Sequence, residues 1–220
     1  MQITAKTIDT ALEGILNPIK KRKFLETIEL QIGLKDYDPQ RDKRFNGSIR
    51  LPNSIRQKLK ICIIADAKTQ EQATDEGLIK DGNVNIMNYD QLRAFNKQKK
   101  VIKKWQKSYK QLMCSESLIR QIPRVMGPQL GKIGTFPQTI GPNDNLAKKI
   151  IDSRSTIKFQ LKKWTCLSAT VGDLGMTQEE LRQNIMMALS FLVSKLKKGW
   201  GNLKQITLKS TMGKPFRLLG

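Results

Sequence analysis

The chain has 220 residues, with 40 Lys and Arg against 19 Asp and Glu, a net charge of +21 and no histidine. Such an excess repels itself in a free monomer and predicts a polyanionic partner; nucleic acid fits, because each neutralised phosphate releases a condensed counterion. Lack of His removes the commonest general base and transition-metal ligand, so catalysis and metal binding are not expected, while 39% hydrophobic residues exclude a disordered chain.

Ile8, Ala11, Leu12 and Ile15 recur near helical spacing, so Ile3 to Leu16 reads as a helix ended by Asn17-Pro18. No continuous apolar segment marks Met1 to Lys20 as a secretory signal, and no run reaches the length of a spanning helix. Soluble, intracellular and nucleic-acid-bound, with no membrane partner, is the expectation. Lys20 to Lys23 precede Phe24, and from Thr27 the residues Ile28, Leu30 and Ile32 alternate with Glu29 and Gln31, a strand with one wet face. Arg44 to Leu51 predicts a second strand, stopped by Pro52. The unbroken apolar run Ile61 to Ala65 is the pattern of a parallel strand covered on both faces. Helix (Thr69 to Gly77), strand (Asn83 to Met87) and helix (Tyr89 to Lys97) follow, the alternation of a small α/β unit with a parallel sheet.

Between Lys97 and Lys110 seven lysines occur without an acid. On a wheel of about 100° per residue, Val101, Ile102, Trp105, Tyr109 and Leu112 gather on one side, which predicts an amphipathic helix. An ordinary surface helix would intersperse acids at i,i+4, so phosphate contact is the better reading of its lysines. Further helices are read around Ser115 to Gln121 and over Asn143 to Ile151, the latter capped by Asn143 or Asp144. Gly127 to Gly134 is rich in glycine but lacks the spacing and terminal Lys-Ser/Thr of a phosphate loop, so no nucleotide cofactor is expected. Half-wet strands return at Ser155 to Leu161, with Leu167 to Val171 continuing the same sheet. Thr177-Gln178-Glu179-Glu180 is a capping box that opens the strongest helix. Leu203 to Lys209 is the last predicted strand, followed by Ser210-Thr211-Met212-Gly213-Lys214-Pro215. Cys62, Cys114 and Cys166 form no CxxC pair, and Cys62 and Cys166, in apolar runs, are expected to be buried. The fold class is thus α/β: an α+β domain from both chain ends (1–57 and 154–220) with a Rossmann-like three-layer α/β domain (58–153) inserted.

The segments Lys21-Arg22-Lys23-Phe24-Leu25-Glu26, Leu34 to Pro39, Lys43-Arg44-Phe45, Ser115 to Arg124, Ser155 to Gln160 and Lys209 to Pro215 occur in the order of a known family. They resemble the universal large-subunit ribosomal protein of the mobile exit-site stalk, the L-one family, called L-ten-a in eukaryotes. Lys214-Pro215 after Gly213, and Gly131 to Pro137, are eukaryotic-type features. The resemblance implies contacts to large-subunit rRNA from Lys21, Arg22, Lys23, Phe24 and Glu26, from Thr156, Lys158 and Gln160, and from Ser210, Thr211, Met212, Gly213 and Lys214. Glu26 is expected to accept from ribose hydroxyls or exocyclic amines. A structural role follows, in a stalk that assists movement and release of deacylated exit-site tRNA, in contact with other large-subunit ribosomal components. The expected location is cytoplasmic, with a nuclear or nucleolar assembly phase. A free-standing repressor of messenger RNA is the different-class alternative, and a nucleic-acid-processing enzyme a more remote one.

Overall fold

Ile8, Ala11, Leu12 and Ile15 form the buried stripe of α1 (Ala5–Leu16). The computed structural model describes residues 3–17, 22–42, 44–55, 59–75, 77, 82–161 and 164–220, apart from the side chains of 132 and 133. Two units emerge: Met1–Arg56 with Ser155–Gly220, and Gln57–Arg154 between them. In the first, β1 (Thr27–Leu34) buries Ile28, Leu30, Ile32 and Leu34 and turns Glu29 and Gln31 the other way. β2 (Asn46–Arg50) exposes Asn46, Ser48 and Arg50 on one side.

The inserted unit runs β3 (Ile61–Ile64), α2 (Ala67–Asp75), β4 (Val84–Met87), α3 (Tyr89–Arg93), α4 (Lys99–Ser108), β5 (Gln111–Ser115), α5 (Glu116–Ile119), α6 (Ile122–Met126), α7 (Gln129–Ile133), β6 (Gln138–Ile140) and α8 (Leu146–Ser155). Its strands form a parallel sheet in the order β4-β3-β5-β6. Every residue of β3 is buried because both faces are covered. Ile61 and Ile63 pack with Ala73, Leu146 and Ile150, while Cys62 and Ile64 pack with Leu92, Ile102, Leu118 and Ile122. This is the three-layer arrangement that a continuous apolar strand predicts.

Several local expectations change. α4 ends at Ser108 and Tyr109 is extended, so Leu112 belongs to β5 and not to the basic helix. The helix buries Ile102 and Gln106, and Val101 is left exposed. Leu112-Met113-Cys114 is a short apolar run whose three-residue offset from Tyr109 also fits a helix, and periodicity alone does not separate the two. The helix read around Ser115 to Gln121 is the single turn α5, with α6 following as a separate helix from Ile122, and the helix expected through Lys97 ends at Arg93, before Asn96 and Lys97 turn to positive φ (44° and 57°). The residue directly before α8 is Asn145, one or two positions after the expected cap. Asn145 Oδ1 accepts the Lys148 N–H at 2.9 Å, and Asp144 instead accepts the Gly141 N–H at 2.7 Å and pairs with Lys149.

The chain returns to the first unit through β7 (Thr156–Gln160), β8 (Cys166–Asp173), α9 (Gln178–Lys195), a 3₁₀ turn (Gly199–Asn202), β9 (Leu203–Ser210) and β10 (Pro215–Leu219). β7 pairs with β2 in a two-stranded ribbon, whereas β8 is an edge of the antiparallel sheet β10-β9-β1-β8. The two strands therefore do not continue one sheet as expected, although β7 packs alongside β8. β10, absent from the sequence reading, pairs Phe216 with Leu208 and Arg217 with Thr207. α1 and α9 pack on one sheet face over a core of Leu12, Ile28, Leu30, Val171, Ile185, Leu189, Ile206 and Leu208. The Thr177 capping box is formed: its hydroxyl accepts from Glu180 N, and the Glu180 carboxylate accepts the Thr177 N–H at 2.9 Å. The other sheet face carries Gln31, Cys166, Ser168 and Lys209.

Candidate nucleic-acid interface

Strand register brings the first and last signature segments together. Ile28 of β1 lies opposite Ser210 of β9, so the residues before β1 meet those after β9. Glu26 is buried there, with Oε1 3.4 Å from Arg22 Nε and Oε2 accepting the Met212 N–H at 3.1 Å. Thr211 Oγ1 accepts the Thr27 N–H at 3.1 Å and donates to the Thr27 carbonyl at 3.2 Å. Gly213 N–H donates to the Ser210 carbonyl, closing a turn in which a Cβ on Gly213 would collide with the buried Ser210 hydroxyl. The glycine is needed for this close approach and not for a left-handed backbone.

The knot turns its polar groups inward and its apolar ones outward. Phe24, Leu25 and Met212 are 53%, 61% and 56% exposed, and Arg22, Lys23, Thr211 and Lys214 are exposed beside them along the chain. Exposed apolar groups flanked by cations make a surface that accepts bases and riboses, with phosphates on the rim. Lys21 lies outside the described residues. Glu26 and Thr211, both expected to contact RNA, also make hydrogen bonds within the loop, the first from a buried carboxylate and the second from an exposed hydroxyl.

Thr156, Lys158 and Gln160 are brought together on the outer face of β7, opposite Arg50, Ser48 and Asn46 of β2. Ile157 and Phe159 point into the core. The β2 residues went unassigned from sequence, although their alternation around Gly47 and Ile49 carries the signal. Lys158 and Gln160 adjoin Cys166 and Ser168, which pair with Gly33 and Gln31 at the far end of β1 from the Glu26 knot. The two clusters thus mark opposite ends of one ladder, roughly 20 Å apart at strand rise.

In the inserted unit, Lys99, Lys100, Lys103, Lys104 and Lys107 line the exposed side of α4. Burial pushes the Cys62 thiol up to about 12, and burial, with the Asp66 charge, does the same for Cys114. Cys166, expected to be buried, is exposed, because its register puts it on the polar face of β8. No cluster of His, Cys, Asp or Glu among the described residues is arranged to hold a metal, and no described helix is long and apolar enough to cross a membrane.

Fold and surface define a strongly basic two-unit α/β protein whose antiparallel unit displays cations and apolar side chains together. Residues 16–214 match the Ribosomal protein L1p/L10e family. The chain is 52% identical over 202 residues to the large ribosomal subunit protein uL1 of Neurospora crassa, covering 92% of this chain and 90% of that protein. It is 48% identical over 219 residues to uL1 of Caenorhabditis elegans, covering 99% of each, and 49% identical over 199 residues to uL1y of Arabidopsis thaliana, covering 90% and 89%. The chain belongs to the ribosomal protein L1p/L10e family, whose members are structural and not enzymatic. Its eukaryotic-type features agree with these relatives.

Proposed function

We propose that this protein is a structural constituent of the large ribosomal subunit that grips large-subunit rRNA through its antiparallel unit. The observation that carries the reading is the knot of Arg22, Glu26, Thr27, Thr211 and Met212. It fixes two segments distant in sequence as one rigid mouth rimmed by Lys23, Phe24 and Lys214. The outer face of β7, with Thr156, Lys158 and Gln160, extends the contact. The inserted unit, with its acid-free α4 face, is left to meet exit-site tRNA or neighbouring ribosomal components as the stalk moves and the deacylated tRNA departs. The working location is the cytoplasmic ribosome, with assembly in the nucleolus. The relatives' names and the +21 charge support this assignment.

A salt titration on a large-subunit rRNA transcript tests it. With six to ten phosphate contacts, affinity falls about three to five orders of magnitude between 50 and 200 mM salt. The exposed pair Lys23→Ala and Lys214→Ala lowers the slope of log K on log salt by about 2. A nearly flat salt response, or protein that sediments away from large subunits in cell extract, overturns the proposal.

A further inference from the structure

We propose that Trp164 is a stacking platform for an unpaired nucleobase of the bound RNA, at a subsite separate from the Glu26 knot. The inference rests on the rRNA-binding reading above and specifies what one part of that surface recognises. Trp164 is 73% exposed, more than any other large apolar side chain among the described residues. It lines a shallow cavity of about 310 Å³ with Lys158, Phe159, Gln160, Cys166, Leu167 and Ser168. Two strands build this hollow: Lys158 and Gln160 project from the outer face of β7, and Cys166 and Ser168 from the polar face of β8.

The lining matches a nucleotide group by group. An indole offers a flat π surface to a base, and every base has a face to stack on it. The Gln160 amide and Ser168 hydroxyl supply donors and acceptors for a base edge or a ribose hydroxyl. Lys158 supplies the cation for the adjoining phosphate, and no carboxylate is among the described residues that line the cavity. An acid-free wall on a chain of net charge +21 favours a polyanion over a protein segment. The register adds position: Cys166 and Ser168 face Gly33 and Gln31, whereas Asp173, at the other end of β8, faces Thr27 beside the knot. A single strand running along β8 reaches both sites, which bind different nucleotides of one RNA.

The test compares the full chain with Trp164→Ala, Trp164→Phe and Lys158→Ala for binding to a large-subunit rRNA transcript across salt concentrations. Because Trp164 is exposed, the variants keep the wild-type melting temperature. Trp164→Ala weakens binding about 5- to 150-fold with an unchanged salt slope, since a stacked base releases no counterion. Trp164→Phe recovers most of the loss, and Lys158→Ala lowers the slope by about 1. If Trp164→Ala binds within twofold of wild type while the Lys23 and Lys214 pair weakens binding, the stacking subsite is wrong and the rRNA reading stands. Normal RNA affinity combined with loss from sedimenting subunits means that Trp164 meets a protein, which also overturns it. A wild-type chain that fails to bind the transcript removes both proposals.

Discussion

Glu26 is an expected RNA-contact residue that its own fold encloses. A carboxylate at an RNA surface reads from sequence as an acceptor for ribose hydroxyls, yet this one is buried between Arg22 and the Met212 N–H. Glu26→Ala removes a charge-assisted acceptor and leaves Arg22 without its counter-charge. The expected cost is roughly 1.5–3 kcal/mol of stability, read by denaturant unfolding, with Thr211→Val costing about 1 kcal/mol through loss of its bonds to Thr27. Unchanged stability in Glu26→Ala would return the carboxylate to an outward, RNA-facing role. The cysteines give a second residue-scale expectation. Burial favours the neutral thiol, so Cys62 and Cys114 stay protonated in the native protein well above their ordinary 9.0, while the unfolded chain loses those protons. Their contribution to stability is therefore complete below about pH 9 and declines toward 12. At pH 8.5 an aromatic disulfide reagent should titrate one fast thiol, Cys166, in the folded protein and three after denaturation; three fast thiols would contradict the burial. That Cys166 was expected inside shows what sequence leaves open: in Trp164-Thr165-Cys166-Leu167 the alternation is plain, but which phase faces the core is set by pairing with β1.

At the scale of elements, legibility followed the strength of the periodic signal. α9 was readable because a capping box and an apolar repeat agree, and β1 because its alternation is unbroken. β5 was missed because its apolar run is short and adjoins a helical pattern, and β6 because its three residues offer a single buried apolar one, so only the parallel partners β3 and β5 reveal them as strands. The candidate site was legible as motifs but not as geometry. Residues 22–26 and 210–214 meet only because β1 and β9 pair in register, and nothing local in either segment encodes that. Asn184 illustrates the same limit inside an element. It interrupts the apolar stripe of α9, fully buried, where sequence offers no partner. In the fold its Oδ1 accepts the Asn53 N–H at 3.2 Å and its Nδ2 donates to the Val171 carbonyl at 2.9 Å, tying α9 to β8 and to the segment after β2. Asn184→Ala strands the buried Val171 carbonyl and the half-buried Asn53 N–H and should cost about 2 kcal/mol, more than Thr177→Ala at the exposed cap, at about 1 kcal/mol. The reverse order in chemical denaturation would mean that water satisfies the groups around Asn184.

For the whole molecule, the question is whether the inserted unit is needed for the grip on RNA. Each unit has its own core: residues from Ile8 to Ile55 and from Ile157 to Leu208 supply one, and residues between Leu59 and Ile150 supply those on the two faces of the parallel sheet. The excision point is also well placed, because Arg50 pairs with Thr156 and the Leu51 N–H donates to the Ser155 carbonyl at 3.0 Å. Deleting Leu59 to Ser153 and joining the flanks with a short Gly-Ser linker therefore converts β2 and β7 into a hairpin without stretching either strand. Ile55 and the Asn53 contacts to α9 remain on the retained side. The deleted form should fold cooperatively, because a unit with its own core and few crossing connections is an independent domain. It should bind the rRNA transcript within about tenfold of the full chain, with a smaller salt slope only if the α4 lysines reach phosphate. Lys104→Ala in the full chain should by the same argument change affinity less than the Lys23 and Lys214 pair does. Circular dichroism establishes folding and gel shift establishes binding. A folded deletion form that has lost rRNA affinity would make the inserted unit the principal grip and would relocate the interface to α4.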